Sequence, residues 1–306
     1  MINSIIIVRS YPMKKRSLSS TLPAELSPDD ATAKFIEMWV HGKSPHTIDA
    51  YRRAARRLEE FIGKPLHLVT LAEVQAFITE LAESSLSVSS QRSIIISVKS
   101  LLSFGLKIGF LSHNIGALVS PPKAKDTLNE RLLSELQVQT LIILETNPRN
   151  RVILRLLYLG GLRVSELCDL KWKDLIERPN GGQVTVFGKG SKTRTVLLPA
   201  SFWVELIQLR GGADKDDPVF KSRKGDHDGH LDRVRVYQIV SAAAKRAGIQ
   251  GRVSPHTLRH CHASHSLERG APIHLVQATL GHSSVATTGR YLHARPSDSS
   301  ALYLAG

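Results

Sequence analysis

Residues 256–260 carry the sequence His-Thr-Leu-Arg-His, followed by Gly281-His282 and, nine positions beyond that histidine, by Tyr291. His256 and Arg259 lie three residues apart, and side chains at that spacing share one face of an α-helix. We therefore expect a helix from about His256 that projects an imidazole and a guanidinium group to the same side. The last fifty residues thus combine cationic and hydrogen-bonding side chains with a tyrosine.

Two further segments place basic residues at structurally defined positions. An apolar helix predicted over residues 151–159 stops at Gly160-Gly161, and Arg163 follows at the start of a short helix. Residues 184–187 and 195–198 have the composition of strands, and the Gly-Lys-Gly-Ser-Lys between them indicates a hairpin. That hairpin exposes Lys189 and Lys192, with Arg194 just beyond.

The charge of the chain favours a polyanionic partner. Basic residues outnumber acidic ones by 41 to 27, a formal net charge of +14. Residues 125–306 hold 26 basic against 17 acidic side chains, whereas residues 25–124 hold 11 against 10. Such a surplus favours nucleic acid first and an anionic membrane surface second. The C-terminal part is the expected electrostatic footprint.

Cysteine usage and hydropathy restrict the compartment. Cys168 and Cys261 are the only cysteines and are not in a paired spacing, which fits a reducing cytoplasm. No stretch approaches the roughly 18 to 20 apolar residues of a membrane span, so we expect no membrane partner. Residues 1–24 have the composition of a disordered basic arm, in which Met13 is an alternative start to Met1.

The N-terminal half has a helical pattern from about Pro28 to Gly116. Ser44-Pro45 begins one helix and Gly63 ends it, Thr70 with Glu73 forms a capping box, and Ser89 or Ser90 begins a fourth helix. We expect residues 25–116 to form a small domain of four or five helices. A solvated face and a phosphate contact are about equally favoured for the arginines on one side of the first of these helices, which are Arg52, Arg53, Arg56 and Arg57.

Pro121-Pro122 interrupts any helix, and residues 117–132 are interpreted as an interdomain linker. Being basic and extended, it is expected to lie along a nucleic-acid backbone through Lys123 and Lys125. A capping box of Ser134 and Gln137 opens the second domain, residues 133–306. That domain is expected to combine helices with a small antiparallel sheet.

The order and contexts of six residues resemble the tyrosine recombinases, the phage integrase family, and most closely its Xer-type members. The resemblance covers nearly the whole chain and rests on residues 161–167, 188–192, 256–260 and 280–282 together with the tyrosine nine positions on. It implies a mainly α fold: an N-terminal helical core-binding (SAM-like) domain and a C-terminal mixed α+β catalytic domain. The six residues are Arg163, Lys189, His256, Arg259, His282 and Tyr291.

The resemblance implies a role for each of these side chains. Tyr291 attacks a DNA phosphate to give a 3′-phosphotyrosyl intermediate, and Arg163 and Arg259 stabilise the charge on the non-bridging oxygens. Lys189 protonates the leaving 5′-oxygen, His256 assists proton transfer at the tyrosine and His282 hydrogen-bonds the phosphate. Glu166 and His260 are interpreted as residues that orient the arginines or maintain the fold.

The resemblance also implies double-stranded DNA as partner, strand exchange through a Holliday junction, and a homotetramer or a heteromer with a second recombinase. No metal, cofactor or ATP is required. In relatives the C-terminal segment docks on the neighbouring protomer, which suggests a small apolar plug of Leu302, Tyr303 and Leu304. Lys123, Lys125, Lys192 and Arg194 are expected to contact the DNA. Two alternatives are a type IB topoisomerase and a non-catalytic DNA-binding accessory protein.

The seven histidines between His256 and His293 also permit a zinc-site interpretation, since His256 and His260 lie four apart on one helix face. This reading is disfavoured because Arg259 lies between them and no acidic residue falls in residues 259–266. We expect no metal.

Overall fold

The protein is described by a computed structural model that covers residues 28–113, 115–122, 132–187, 193–222, 229–282, 284–289 and 291. The chain divides into two compact units, Met1–Lys125 and Asp126–Gly306. Each unit has its own apolar core. The predicted mainly helical architecture with two parts is confirmed, and the division between the units falls within residues 117–132.

The described part of the first unit contains four α-helices. They are α1 (Pro28–Val40), α2 (Pro45–Ile62), α3 (Leu71–Glu83) and α4 (Val88–Lys107). Ser44 caps α2 with Pro45 in its first turn, and Gly63 ends it, as predicted. Thr70 and Glu73 form the predicted capping box of α3. Helix α4 begins slightly earlier than expected because the hydroxyl of Ser87 accepts the backbone N–H of Ser90.

The core of the first unit is formed where the four helices meet. Phe35, Leu58, Phe77 and Leu101 are essentially inaccessible there. Phe61, near the end of α2, is 38% exposed, and its ring tilts against that of Phe77 at a centroid distance of 5.5 Å. The apolar stripe of α2 therefore ends at the edge of the core.

The second unit combines eight α-helices with three strands in its described part. In chain order these are α5 (Glu135–Ile143), α6 (Pro148–Leu159), α7 (Val164–Asp169), β1 (Leu175–Arg178), β2 (Gly181–Phe187), β3 (Thr193–Pro199), α8 (Ala200–Gln208), α9 (Arg233–Arg246), α10 (Pro255–Glu268), α11 (Ile273–Leu280) and α12 (Val285–Gly289). Ser134 and Gln137 form the predicted capping box of α5.

The strands form one antiparallel sheet in the order β1-β2-β3. The sequence predicted β2 and β3 but not β1, whose last three residues are exposed and therefore lack an alternating apolar pattern. β1 pairs with β2 from Leu175 opposite Val184 to Arg178 opposite Gly181. β2 pairs with β3, with Val184 opposite Val196.

Packing of α10 against α6 fixes the segment that leads to Arg163. Helix α6 is apolar through Val152, Ile153, Leu156 and Leu157 and ends at Gly160. Gly161 has a φ of +56°, and a Cβ there would lie 2.9 Å from the His262 ring. Only glycine satisfies both conditions without strain, so the diglycine lets the chain turn tightly against α10.

Candidate active site

Two of the predicted catalytic arginines meet at the C-terminal end of α11. Gly281 caps this helix in the left-handed conformation, with a φ of +64°. Arg163 donates from Nη2 to the carbonyl of Gly281 at 3.3 Å, and Arg259 donates from Nη2 to that of Leu280 at 2.6 Å. Carbonyl groups at a helix C-terminus lack intrahelical partners and carry partial negative charge. The turn therefore holds two guanidinium groups close together.

Arg163 stands at the N-cap of α7 and is oriented by Glu166. The backbone N–H of Arg163 donates to Glu166 Oε2 at 2.7 Å, and Nη1 donates to Oε1 at 2.8 Å. Burial by itself would raise the pKa of Glu166, but hydrogen bonds from Arg194 and Arg163 outweigh it and hold that pKa below its ordinary value. Glu166 thus stays ionised, while 37% of the Arg163 side chain remains exposed.

Arg259 is a buried cation on α10. Only 3% of the residue is exposed, and Nη1 donates to the carbonyl oxygen of Gly161. Burial and the neighbouring charge of Arg163 lower the pKa of Arg259 to about 10, so the guanidinium group remains protonated at neutral pH. A buried positive charge held by carbonyl groups favours an anion beside it.

The hydroxyl of Tyr291 lies against α10. It is 2.6 Å from Nδ1 of His260, and the two ring centroids are 5.6 Å apart. The tyrosine is 6% exposed, and its backbone N–H donates to the carbonyl of Thr288. The resemblance implied that His256 assists proton transfer at the tyrosine, and His260 was interpreted as a residue that orients the arginines or maintains the fold. In the structure the hydrogen bond to the tyrosine is made by His260.

His256 and His282 flank this pair. His256 is exposed, and its ring stacks on His260 with centroids 5.9 Å apart. His282 lies parallel to the Tyr291 ring at 6.4 Å, and its Nδ1 is 2.9 Å from the hydroxyl of Thr288. Partial desolvation by the surrounding protein lowers the pKa of both imidazoles, that of His256 in spite of its exposed edge, and the guanidinium groups of Arg259 and Arg163 lower it further. For His282 the pKa falls to about 4, so this side chain is neutral at physiological pH.

Several predicted site residues lie outside the described parts of the chain. These are Lys189 and Lys192 of the hairpin, Lys123 and Lys125 of the linker, and the proposed apolar plug of Leu302, Tyr303 and Leu304.

Arg194 occupies a different place from the one predicted. Its side chain is only 11% exposed, and Nη1 and Nη2 donate to the two carboxylate oxygens of Glu166 at 2.7 Å each. Nε donates to the carbonyl of Thr279 at 2.7 Å. Because its donors face the protein interior, Arg194 is not positioned to contact DNA, and the sequence prediction is corrected here. The sequence showed only a basic residue on a strand, which is usually exposed.

The four arginines of α2 differ in their surroundings. Arg52 donates two hydrogen bonds to Glu37, at 3.1 and 2.7 Å, so its charge is already compensated. The other three line a groove of about 890 Å³ together with serines of α4. Within residues 28–113 no carboxylate forms an ion pair with any of these three. They are Arg53, Arg56 and Arg57.

Neither a metal cluster nor a membrane-spanning helix is found in the described residues. No group of three or more histidine, cysteine or acidic side chains is arranged to hold a metal ion in that part of the chain. Among the described helices, none is long and apolar enough to cross a bilayer. Cys168 and Cys261 are both buried and unbridged.

Comparison with known families assigns both units. Residues 131–298 match the phage integrase family, and residues 32–108 match the SAM-like N-terminal domain of phage integrases. A tyrosine recombinase XerC of Pelobacter propionicus is 34% identical over 268 residues, covering 82% of this chain and 85% of the relative. A tyrosine recombinase of Thermosipho africanus is 32% identical, covering 85% and 95%.

Solved structures share the fold. A lambda integrase dimer bound to a core site superposes with a TM-score of 0.71 at 18% identity, covering 87% of this chain and 95% of that one. The XerH recombinase bound to its difH substrate gives a TM-score of 0.67 at 21% identity, covering 91% and 83%. Together with the relatives, these matches define a site-specific recombinase of the tyrosine type. The chain belongs to the phage integrase family and is most similar to its Xer-type members.

Proposed function

We propose that this recombinase cleaves and rejoins DNA strands through a 3′-phosphotyrosyl intermediate formed by Tyr291. The observation that carries the proposal is that the Tyr291 hydroxyl, 2.6 Å from Nδ1 of His260, lies against the helix that also holds the buried guanidinium group of Arg259. Attack by the phenolic oxygen on the phosphorus releases a 5′-hydroxyl and leaves the phosphate esterified to the protein. The bond energy is retained, so rejoining requires no ATP.

The two arginines would stabilise the charge that develops on the phosphate. Arg163 and Arg259 meet at one turn, and each can present a planar donor fork to non-bridging oxygens. Fixed donors in a site that excludes water stabilise a transition state strongly, because they need no reorganisation when the charge appears. This electrostatic contribution takes the place of a metal ion, and we propose none.

Proton transfer is assigned to His260, His256 and Lys189, and a hydrogen bond to the phosphate is assigned to His282. In this proposal His260 accepts the Tyr291 proton, and His256, stacked on it, assists. His282 is neutral, so it can donate a hydrogen bond to the phosphate from Nε2 while Nδ1 accepts one from Thr288. Lys189 is proposed to protonate the leaving 5′-oxygen, on the basis of the family resemblance alone.

We further propose double-stranded DNA as the partner. Arg53, Arg56 and Arg57 line a groove of the first unit together with Glu60 and Glu80, and they form no ion pair within residues 28–113, so they would be available to contact phosphates. Lys123, Lys125 and Lys192 are proposed to add backbone contacts. We place the enzyme in the cytoplasm, where two unbridged cysteines remain reduced.

The assembly is proposed by analogy. A lambda integrase tetramer bound to a Holliday junction shares this fold with a TM-score of 0.70 at 17% identity. We propose that four protomers, either identical or shared with a second recombinase, join two DNA sites. The plug of Leu302, Tyr303 and Leu304 would connect neighbouring protomers, and deletion of residues 299–306 should then lower recombination.

The proposal can be tested with a nicked DNA duplex. The duplex contains the genomic sequence that the protein protects from nuclease digestion. The nick lets the short strand with the 5′-hydroxyl diffuse away, so the covalent complex accumulates. We expect a protein–DNA adduct that survives denaturant, formed in EDTA without ATP, and strand exchange when two sites are present. Relaxation of plasmids that lack the site would favour a topoisomerase, and binding without an adduct would favour an accessory protein.

A further inference from the structure

Three successive carbonyl groups at the end of α11 are each bound by a different arginine. Arg194 binds the carbonyl of Thr279 at 2.7 Å, Arg259 that of Leu280 at 2.6 Å, and Arg163 that of Gly281 at 3.3 Å. The arginines come from β3, α10 and the start of α7. The same turn leads directly into His282. One helix end therefore gathers side chains from three separate parts of the unit.

Arg194 differs from the other two because Nε, Nη1 and Nη2 are all bound to protein groups. Its Nη1 and Nη2 bind both oxygens of Glu166, the carboxylate that also receives the backbone N–H and Nη1 of Arg163. The arginine also packs on the helix cap, since a Cβ at Gly281 would lie 3.0 Å from Cδ of Arg194. Glu166 is thus a bridge between Arg194 and Arg163.

We propose that Arg194 is a positioning residue for the recombination reaction. Arg194 fixes Glu166 relative to the end of α11, so that Arg163 and Arg259 can both contact one phosphate. In this arrangement the donors of Arg194 bind Glu166 and the carbonyl of Thr279. Arg194 acts through Arg163, by way of Glu166, and through the 279–281 turn that both catalytic arginines bind. The inference rests on the proposed function, because it presumes that those two guanidinium groups meet the phosphate.

The shape of the guanidinium group matters here more than its charge. Arg194 makes three hydrogen bonds from three nitrogens in one plane, to a carboxylate and to a carbonyl. Lysine has a single ammonium group and cannot hold both partners at those positions. Arg194→Lys therefore keeps the positive charge near Glu166 but loosens the turn.

The test is the single-turnover rate of adduct formation on the nicked duplex at saturating DNA. A misplacement of about 1 Å can cost about 10²-fold in rate, and we expect a loss of that order for Arg194→Lys. DNA affinity should remain within about threefold, because Arg194 is buried and its donors are bound to protein groups. Arg155→Lys is the matched control, since Arg155 is also a partly buried arginine paired with a carboxylate, that of Glu205. It should cleave at the wild-type rate.

A double-variant cycle separates positioning from a general loss of structure. If Arg194 acts through Arg163, then adding Arg194→Lys to Arg163→Lys should cost less than about threefold, because groups that share one network are not additive. Multiplication of the two losses would overturn the inference. So would a wild-type rate for Arg194→Lys, or a weakened DNA affinity with full recovery of the rate at saturation.

Two further measurements keep the outcome unambiguous. Should Arg194→Lys fail to fold, as judged by circular dichroism, Glu166→Gln tests the same bridge with an uncharged side chain of equal size and should show the same coupling to Arg163→Lys. Retention of the adduct in Tyr291→Phe would instead refute the proposed function. A loss in Tyr291→Phe with none in Arg194→Lys would refute only the positioning role.

Discussion

Helix α10 carries the histidines of two tyrosine–histidine pairs that form similar hydrogen bonds in different surroundings. The Tyr158 hydroxyl lies 3.0 Å from Nδ1 of His265, and the Tyr291 hydroxyl lies 2.6 Å from Nδ1 of His260. His265 also donates from Nε2 to the carbonyl of Leu133 at 3.0 Å, so both of its ring nitrogens are engaged within the core. Burial and the nearby charge of Glu135 raise the pKa of Tyr158 to about 12.

The pair formed by Tyr291 faces cations instead. Arg259 is near enough for its charge to interact with a phenolate at Tyr291, and Arg163 lies on the same turn as Arg259. A hydrogen bond to histidine is therefore common to both pairs and does not distinguish a nucleophile. What distinguishes them is their surroundings: burial and the charge of Glu135 disfavour ionisation of Tyr158, whereas the charge of Arg259 would stabilise negative charge at Tyr291.

The largest effect is expected when the hydroxyl of Tyr291 is removed, and the same change at Tyr158 serves as the comparison. Tyr291→Phe should reduce adduct formation on the nicked duplex by about 10⁴-fold or more, because the nucleophile is lost, while DNA binding is retained. Tyr158→Phe makes the same chemical change in the other pair and should leave the cleavage rate per folded molecule within about threefold. Equal losses in both variants would show that the two pairs do not differ as described.

A second comparison removes the arginine that accompanies each pair. Arg163→Ala should lower the cleavage rate by about 10²–10³-fold at saturating DNA, as for a donor that meets developing charge. Arg269→Ala removes an exposed arginine that pairs with Glu135 beside Tyr158, and should change the rate by less than about twofold. Rates and dissociation constants measured on the same duplex would separate the two predictions. A loss confined to affinity in Arg163→Ala would argue against a role in the chemical step.

The two histidines should divide activity from stability. His260→Asn keeps a polar side chain that cannot take the tyrosine proton, so cleavage should fall by about 10²-fold with little change in the free energy of unfolding. His265→Asn leaves buried partners imperfectly paired and should lower the free energy of unfolding by about 1–3 kcal/mol. Urea titrations and cleavage rates on both variants provide the check. The reverse pattern would contradict the assignment of His260.

The smallest effect is expected for the dependence of stability on pH, through His262, which lies between His260 and His265 on α10. His262 donates from Nδ1 to the carbonyl of Tyr158 at 2.8 Å, and burial lowers its pKa to about 4. The unfolded chain, with a pKa near 6.5, binds the proton more readily, so stability should fall as pH drops from about 6.5 to 4. The slope is at most about 1.4 kcal/mol per pH unit for one such group. His262→Gln should make the urea midpoint less dependent on pH across this range, and the dependence that remains should include that of His282, whose pKa is lowered in the same way.

The helical fold was largely predictable because its signals are local. Ser44-Pro45, which places a proline in the first turn, and the capping box of Thr70 with Glu73 each mark the start of a helix within one turn, and both predicted starts are confirmed. Strand β1 was missed because its exposed residues show no alternation, and only pairing with β2 defines it. The start of α4 was predicted slightly too late for a similar reason. Ser87, Ser89 and Ser90 are all possible N-cap residues in the sequence, and only the structure shows that Ser87 accepts the backbone N–H of Ser90.

The candidate site was predictable in its residue types but not in its contacts. The order of the motifs indicated Arg163, Arg259 and Tyr291 as site residues. The hydrogen-bond partner of the tyrosine, in contrast, depends on how the segment after α12 packs against α10. His256 and His260 lie four residues apart on the same face of α10, so the sequence did not show which of them contacts the tyrosine. The structure shows that it is His260. Arg194 is the clearest case, because its burial comes from Glu166 and the end of α11, which lie 28 and 85 residues away along the chain.

The position and polarity of the covalent link test the central claim most directly. The adduct trapped on the nicked duplex can be digested with protease and nuclease and the modified peptide sequenced by mass spectrometry. We predict a nucleotide 3′-phosphate esterified to the hydroxyl of Tyr291 and to no other side chain. A link through Tyr158 or another residue, or through a 5′-phosphate, would contradict the account.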